Sequence, residues 1–394
     1  MPTDTTSVPV AEASREGAPF KSERLLSLDL FRGLTVAAMI LVNDPGDGPS
    51  AYAPLKHSNW NGWTPTDLVF PFFLFIVGVA MAFSFRSRLD RGESRARLLQ
   101  HVLWRGLVLF ALGIFLNGFP NHYHLASLRI YGVLQRIAIC YVITALLELW
   151  TGWRAQIAVA VACLAGYWIL MRYVAVPGFG VPTHDIPLLD PDRNWVAWLD
   201  RKLLLGHLYE GTRDPEGVLS NIPAVATCLL GLLTGKWMKT AYSARIKTGA
   251  MIAAGVVALA IGRSMHFWFP INKKLWTSSF VIFTAGLALI FLAVLYWLSD
   301  VKQHRGLWTR PILVFGANAI AAYFLSEALA AAFYSILIAP GGGPAVTIQD
   351  YVYSHWFAPL GSAANASLLY AVAYVALCWL PIALLYRKGI SIKV

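Results

Sequence analysis

The sequence predicts an all-α, polytopic integral membrane protein of about ten transmembrane helices. Three observations carry that expectation. Hydrophobic residues make up 57% of the 394 and charged residues only 13%, against about 25% charged in a soluble domain. Runs of about 20 apolar residues recur along the whole length, the pattern of membrane-spanning helices. The basic residues between those runs gather on alternate loops, as membrane topology places them.

The apolar runs cover, in order, 25–43, 67–85, 102–117, 131–150, 156–174, 218–236, 248–268, 279–298, 311–337 and 363–386. The third is short for a bilayer core of about 30 Å, so it begins earlier or lies in a thinned region. The ninth is long, which predicts a tilt or break near its outer end. The first 20 residues are polar and lack the apolar core of a signal peptide. Residues 1–22 therefore read as a disordered cytoplasmic tail, 23–394 as one transmembrane domain, and the first apolar run as an uncleaved anchor. Twenty Lys and Arg fall on the side of the N-terminus against eight on the other, which predicts both termini inside. The loop holding His57 then faces outward, the periplasmic side if the membrane is a bacterial inner membrane. The longest loop, 175–217, faces the same way. Its Trp195–Leu208 stretch has apolar residues at helical spacing and suits the interface. A solvated lid and a substrate-binding loop fit that loop equally well.

Composition excludes some classes. The net charge of +11 is distributed as a topology signal, and no nucleic-acid-binding motif accompanies it. All four cysteines (Cys140, Cys163, Cys228, Cys378) sit in apolar runs and read as buried hydrophobes. No CxxC or HExxH occurs, so nothing requires a metal.

The stretch from Leu28 to Gly78 organises the chain. Its first apolar run ends in Asn43-Asp44. A loop rich in Gly, Pro and Trp follows, with His57 before Ser58-Asn59-Trp60-Asn61-Gly62, and a second apolar run opens at Asp67. One reading is an interfacial loop, with Trp60 and Trp63 as aromatic anchors and His57 a solvated bystander. The other comes from a resemblance. DLFRGLTVAAMILVN and KHSNWNGWTPTDLVFPFFLFIVG are similar to the signature of the heparan-α-glucosaminide N-acetyltransferase family, which includes a lysosomal enzyme and bacterial relatives, some described as NagX-like. GVLQRIAICY (132–141), DPEGVLSNIPA (214–224), INKKLWTSSFV (271–281), GANAIAAYFLSE (316–327) and the tail YRKG match it in the same order. The resemblance implies acetyl transfer from acetyl-CoA to an amino sugar, His57 as the catalytic histidine and Asn43 near the acetyl group. It also favours a homodimer.

Basic residues within apolar runs are costly, about 3 kcal/mol at mid-membrane, and usually face a partner or a cavity. Arg172 and Arg263 lie near run ends and can snorkel. Arg32 follows Asp29 at i+3, which permits a local ion pair. Arg136 follows Gln135 and stands seven residues after Arg129, so a continuous helix would put both arginines on one face. That stripe fits the phosphates of coenzyme A, and a helix-packing pair with Glu327 fits it too. Arg136, Gln135, Arg129 and Arg32 are thus the candidate cofactor contacts. Tyr323 and Glu327 share a face in the ninth run, with Asn318 opposite.

Acetyl-CoA is cytoplasmic, so an outward amine requires the protein either to carry acetyl across or to thread the cofactor through the bundle, thioester outermost. Transfer then needs a base, for which imidazole is suited near pH 7, and donors for the tetrahedral oxyanion. His57 is the candidate base and Asn43 the candidate donor. Asp67 either orients His57 or caps the second helix through Thr64-Pro65-Thr66-Asp67. Direct transfer is favoured over a labile acyl-imidazole. Two rivals remain, an amino-sugar permease and a membrane O-acyltransferase. The acceptor is a small amino sugar or an oligosaccharide carrying one.

Overall fold

The computed structural model describes residues 25–120, 123–340 and 343–392; the expected tail 1–22 lies outside them. The apolar runs become helices: α1 (Leu26–Asn43), α2 (Val69–Asp90), α3 (Arg95–Gly118), α4 (Val133–Trp150), α5 (Trp153–Tyr173), a short α6 (Trp195–Leu203), α7 (Asn221–Met238), α8 (Ala244–Met265) and α9 (Ser278–Leu295). α10 (Thr309–Ala317), α11 (Ala319–Ser335), α12 (Ile348–Val352) and α13 (Ala363–Arg387) follow, with a two-residue hairpin of β1 (Leu337–Ile338) and β2 (Val346–Thr347) before α12.

Among the described residues, eight helices are long and apolar enough to cross a membrane, or nine if the bent pair α10–α11 is one span. The expected tenth, 218–236, is α7. It has the length, but Asn221, Pro223, Thr227, Thr234 and Lys236 dilute its hydropathy. Its place explains this composition, because α7 packs along α2, α5 and α4 and so needs less apolar surface toward lipid. α2 is central as well: two thirds (67%) of its most apolar window is buried, against 17% in α8.

Backbone contact fixes the α2–α7 pair. A Cβ on Gly78 would lie 1.9 Å from the Cys228 carbonyl oxygen, and one on Gly231 2.0 Å from that of Phe75. Small residues let two membrane helices approach to this distance. The pairing also positions the turn that opens α2, which carries Asp67. At its other end α1 is capped from a distance, with the amides of Leu26 and Ser27 donating to the Asp300 carboxylate at 2.9 Å each.

One sequence alternative is resolved and three expectations change. The third helix begins at Arg95, so the run is long enough and carries Arg105, whose guanidinium lies 5.0 Å over the Tyr141 ring. The break in the ninth run falls at Asn318, near its start and not its outer end. There α10 and α11 meet at 84°, and the Asn318 side chain bonds the tail by accepting from Ile392 N (2.8 Å) and donating to Ile390 O (3.2 Å). α4 starts only at Val133, which leaves Arg129 in the preceding loop and dissolves the expected Arg129–Arg136 stripe. The interfacial helix stops at Leu203, and its Val196 packs in a cluster with Tyr167, Met171, Leu189, Phe269 and Leu275.

Candidate active site

The loop between α1 and α2 is held by bonds to distant parts of the chain. Asp47 N donates to Ser367 Oγ (3.0 Å) and the Trp60 indole N–H to Leu189 O (2.8 Å). Gly62 N donates to Ile271 O (2.8 Å), and Asn272 Nδ2 to Asn61 Oδ1 (3.2 Å). Gly62 adopts φ +110°, a backbone conformation open to glycine and strained for residues with a Cβ. Thr64 Oγ1 donates to Lys56 O (2.6 Å) and Thr66 Oγ1 to Pro54 O (3.0 Å). These bonds close the loop around His57.

Asp67 contacts both the helix start and His57. One carboxylate oxygen accepts from the backbone amides of Thr64 (2.9 Å) and Ser58 (3.1 Å), completing a capping box at the helix start. The other lies 2.7 Å from His57 Nδ1. An ionised carboxylate only accepts, so Nδ1 carries the proton and Nε2 is left as the basic nitrogen. The Asp67 side chain is 1% exposed and that of His57 45%, so a buried carboxylate holds a ring that is open to the cavity.

A third group completes the cluster. Lys273 Nζ lies 3.1 Å from both ring nitrogens of His57 and 3.9 Å from Asp67 Oδ1. Equal distances put the ammonium off the lone-pair line of either nitrogen, so the contact is charge against ring more than a hydrogen bond. Burial lowers the Lys273 ammonium below its ordinary value, against the pull of Asp67 and Glu216. Its loop is fixed by Asn272, which accepts from Leu275 N (2.9 Å), and by buried Trp276 at φ +52°.

These groups line a cavity of about 820 Å³ that also takes in Asn43, Asp44, Arg129, Tyr209, Glu216 and Glu327. Asn43, ending α1, donates from Nδ2 to Glu327 Oε1 of α11 at 3.1 Å. The long loop 175–217 contributes Tyr209, Glu210, Pro215 and Glu216 to the wall, so it covers the site as well as meeting solvent. In charge the lining sets four cations (Lys56, Arg129, Lys273, Lys274) against five carboxylates (Asp44, Asp67, Glu210, Glu216, Glu327). Most of those cations are engaged by the carboxylates beside them, which leaves little positive charge for a polyphosphate.

Of the expected cofactor contacts, only Arg129 lines this cavity. It donates to Asp214 from Nε (2.8 Å) and Nη2 (2.7 Å), and to Glu216 from Nη2 (2.6 Å). Burial disfavours its charge, but the two carboxylates outweigh this and hold the guanidinium above its ordinary value. Arg136 is fully buried between Ser220, to which Nη2 donates, and the Trp276 ring at 4.9 Å, with Nε and Nη1 unpartnered. Gln135 is buried beside Gly113, its Nε2 unpartnered. Arg32 pairs with Asp29 (3.1 Å) and donates to Gly316 O (3.2 Å), away from the cavity lining. Lys273, Asp44 and Glu216 were not singled out in the sequence as site residues. The INKKLWTSSFV segment was the available signal for Lys273.

A profile of the family described as heparan-alpha-glucosaminide N-acetyltransferase, catalytic, matches residues 24–272, more than half of the chain. The chain belongs to this family. It is 33% identical to the human heparan-alpha-glucosaminide N-acetyltransferase over 360 residues, covering 76% of this chain and 52% of that protein. It is 31% identical to the mouse protein of the same name over 368 residues, covering 78% and 54%. The chain thus spans about half the length of the curated relatives it matches. The family match contains Asn43, His57 and Asp67 and ends one residue before Lys273.

Proposed function

We propose that this chain is a membrane-embedded N-acetyltransferase that moves acetyl from acetyl-CoA to the amine of a glucosamine-like sugar, with His57 as general base. The observation that carries the proposal is the His57–Asp67 pair at 2.7 Å, set with Lys273 in the wall of a cavity shared with Asn43, in a chain of this family. The amine nitrogen attacks the thioester carbonyl and its proton passes to His57 Nε2. Asp67 holds the imidazolium that forms. The Lys273 ammonium and the Asn43 amide stabilise the oxyanion. Collapse breaks the C–S bond, and the leaving thiolate takes the proton back from His57.

We assign the cavity to the amine and the thioester, a reading supported by its mostly engaged cations, with the nucleotide phosphates of coenzyme A elsewhere. Val133 lines the cavity, and Arg136 stands one turn further along the same side of α4. The unpartnered nitrogens of Arg136 and Gln135 are the donors we assign to the cofactor's chain below the thioester. On the charge count of the loops we place the cavity on the outer face, periplasmic in a bacterial inner membrane, with both termini inside.

The test is acetyl transfer by purified protein given acetyl-CoA and glucosamine, read as thiol release and as a product that survives mild alkali. His57→Ala is expected to lose about 10²–10⁴-fold in rate while still binding acetyl-CoA. Near-normal turnover in His57→Gln, which bonds but takes up no proton, would put the base elsewhere. An alkali-labile product would support O-acylation, and sugar counterflow without thiol release a permease.

A further inference from the structure

One group in the cavity has no role in that chemistry. Asp44 follows α1 directly, is 5% exposed, and lines the cavity beside Asn43 and Glu327. Its Oδ2 is buried without a hydrogen-bond partner, and no cation forms an ion pair with it among the described residues. A carboxylate removed from water is costly unless paired. A second carboxylate nearby raises that cost, because like charges in one site disfavour each other's ionisation. Burial first, and Glu327 second, push the Asp44 carboxyl up to about 8. The four cations of the same cavity are engaged elsewhere: Arg129 with Asp214 and Glu216, Lys274 with Glu210 (2.8 Å), Lys273 against His57 and Asp67, and Lys56 with the Pro49 carbonyl (2.5 Å).

We propose that Asp44, with Glu327 behind it, is the ammonium-binding subsite for the acceptor, holding a protonated sugar amine in the cavity before its proton is lost. The inference rests on the acetyltransfer reading for the identity of the amine, but it concerns binding alone. A monovalent cation satisfies the orphaned oxygen and relieves the carboxylate pair, whereas a hydroxyl in its place donates one neutral bond and relieves no charge. Asn43 links this subsite to the reacting carbon, since its amide donates to Glu327. The subsite therefore selects amino over hydroxyl sugars at the ground state, independently of His57.

The experiment is calorimetric titration of the purified full chain in detergent with glucosamine, with glucose, and separately with acetyl-CoA. Wild type is expected to bind glucosamine about ten- to a hundredfold more tightly than glucose, the range for one desolvated charge-assisted contact. Asp44→Asn, which keeps the shape and removes the charge, should abolish that preference and leave acetyl-CoA binding intact. Equal or absent binding of the two sugars by wild type overturns the proposal, and this arm needs no variant. A folded Asp44→Asn that keeps the preference, or that loses both sugars equally, also overturns it. If wild type fails to bind acetyl-CoA yet shows an amine preference that Asp44→Asn removes, the transfer reading fails and the ammonium subsite stands.

Discussion

Asp67→Asn separates an orienting carboxylate from a helix cap, because the two functions use different oxygens. Oδ2 accepts from the amides of Thr64 and Ser58 at 2.9 and 3.1 Å, and Oδ1 from His57 Nδ1 at 2.7 Å. Asparagine keeps one accepting oxygen. Turned toward His57, it would leave two buried backbone amides facing an NH₂ group, at about 1–3 kcal/mol each. Turned toward the amides, it preserves the cap and presents NH₂ to Nδ1, losing one charge-assisted bond. The second arrangement costs less, so the variant is expected to fold with only a small fall in thermal midpoint. Nδ1 must then accept, which moves the imidazole proton to Nε2, the nitrogen that has to take the amine's proton. The expected loss in kcat is on the order of 10³–10⁴-fold, as when an imidazole is held in the wrong tautomer. The KM for glucosamine should change little. The assay is steady-state thiol release from acetyl-CoA, run beside a thermal melt in the same detergent. Near-wild-type kcat in a folded Asp67→Asn would refute the orienting role and leave the carboxylate as a cap alone.

Two further outcomes test sidedness and packing. Cysteine at Ser58 should react with a membrane-impermeant thiol reagent added outside intact cells, and cysteine at Ser94 only after permeabilisation; the reverse pattern would turn the His57 loop inward. Gly78→Ala should lower the thermal midpoint by an amount equivalent to about 1–3 kcal/mol, the usual cost of overpacking, because its new methyl meets the Cys228 carbonyl at 1.9 Å. An unchanged melt would show that α2 and α7 can part without loss.

Local pattern revealed the helices because a run of apolar residues in lipid must satisfy its backbone bonds internally, and a helix is the local way to do so. His57 is singled out by the family resemblance and not by local pattern, which fits a solvated bystander equally; the structure brings it within 2.7 Å of Asp67, ten residues on. Local pattern failed where a position is decided by distant partners. Nothing near Asn318 announces a bend, which is tied to Ile390 and Ile392 in the tail. Lys273 reaches His57 across 216 residues only because Asn272, Trp276 and the Gly62–Ile271 bond fix its turn. The Arg129–Arg136 spacing invoked a helix that starts after Arg129, because that guanidinium is drawn to Asp214 and Glu216 in the long loop before α7.

Charge placement gives the site its direction. A thioester is neutral, an amino sugar arrives as a cation, and coenzyme A carries its negative charge at the far end of a long chain. On the proposed reading, a cavity whose cations are mostly engaged by its own carboxylates accepts the neutral thioester and offers the phosphates little positive charge. The basic residues that could meet phosphates lie at the opposite ends of the helices, with Arg86, Arg88 and Arg91 at the close of α2 and Arg95 and Arg97 at the start of α3. With α2 spanning 22 residues at about 1.5 Å each, the two regions stand about a bilayer core apart. On the proposed reading, one extended donor molecule connects them, and the same electrostatics that bring the amine to Asp44 keep the nucleotide from crossing.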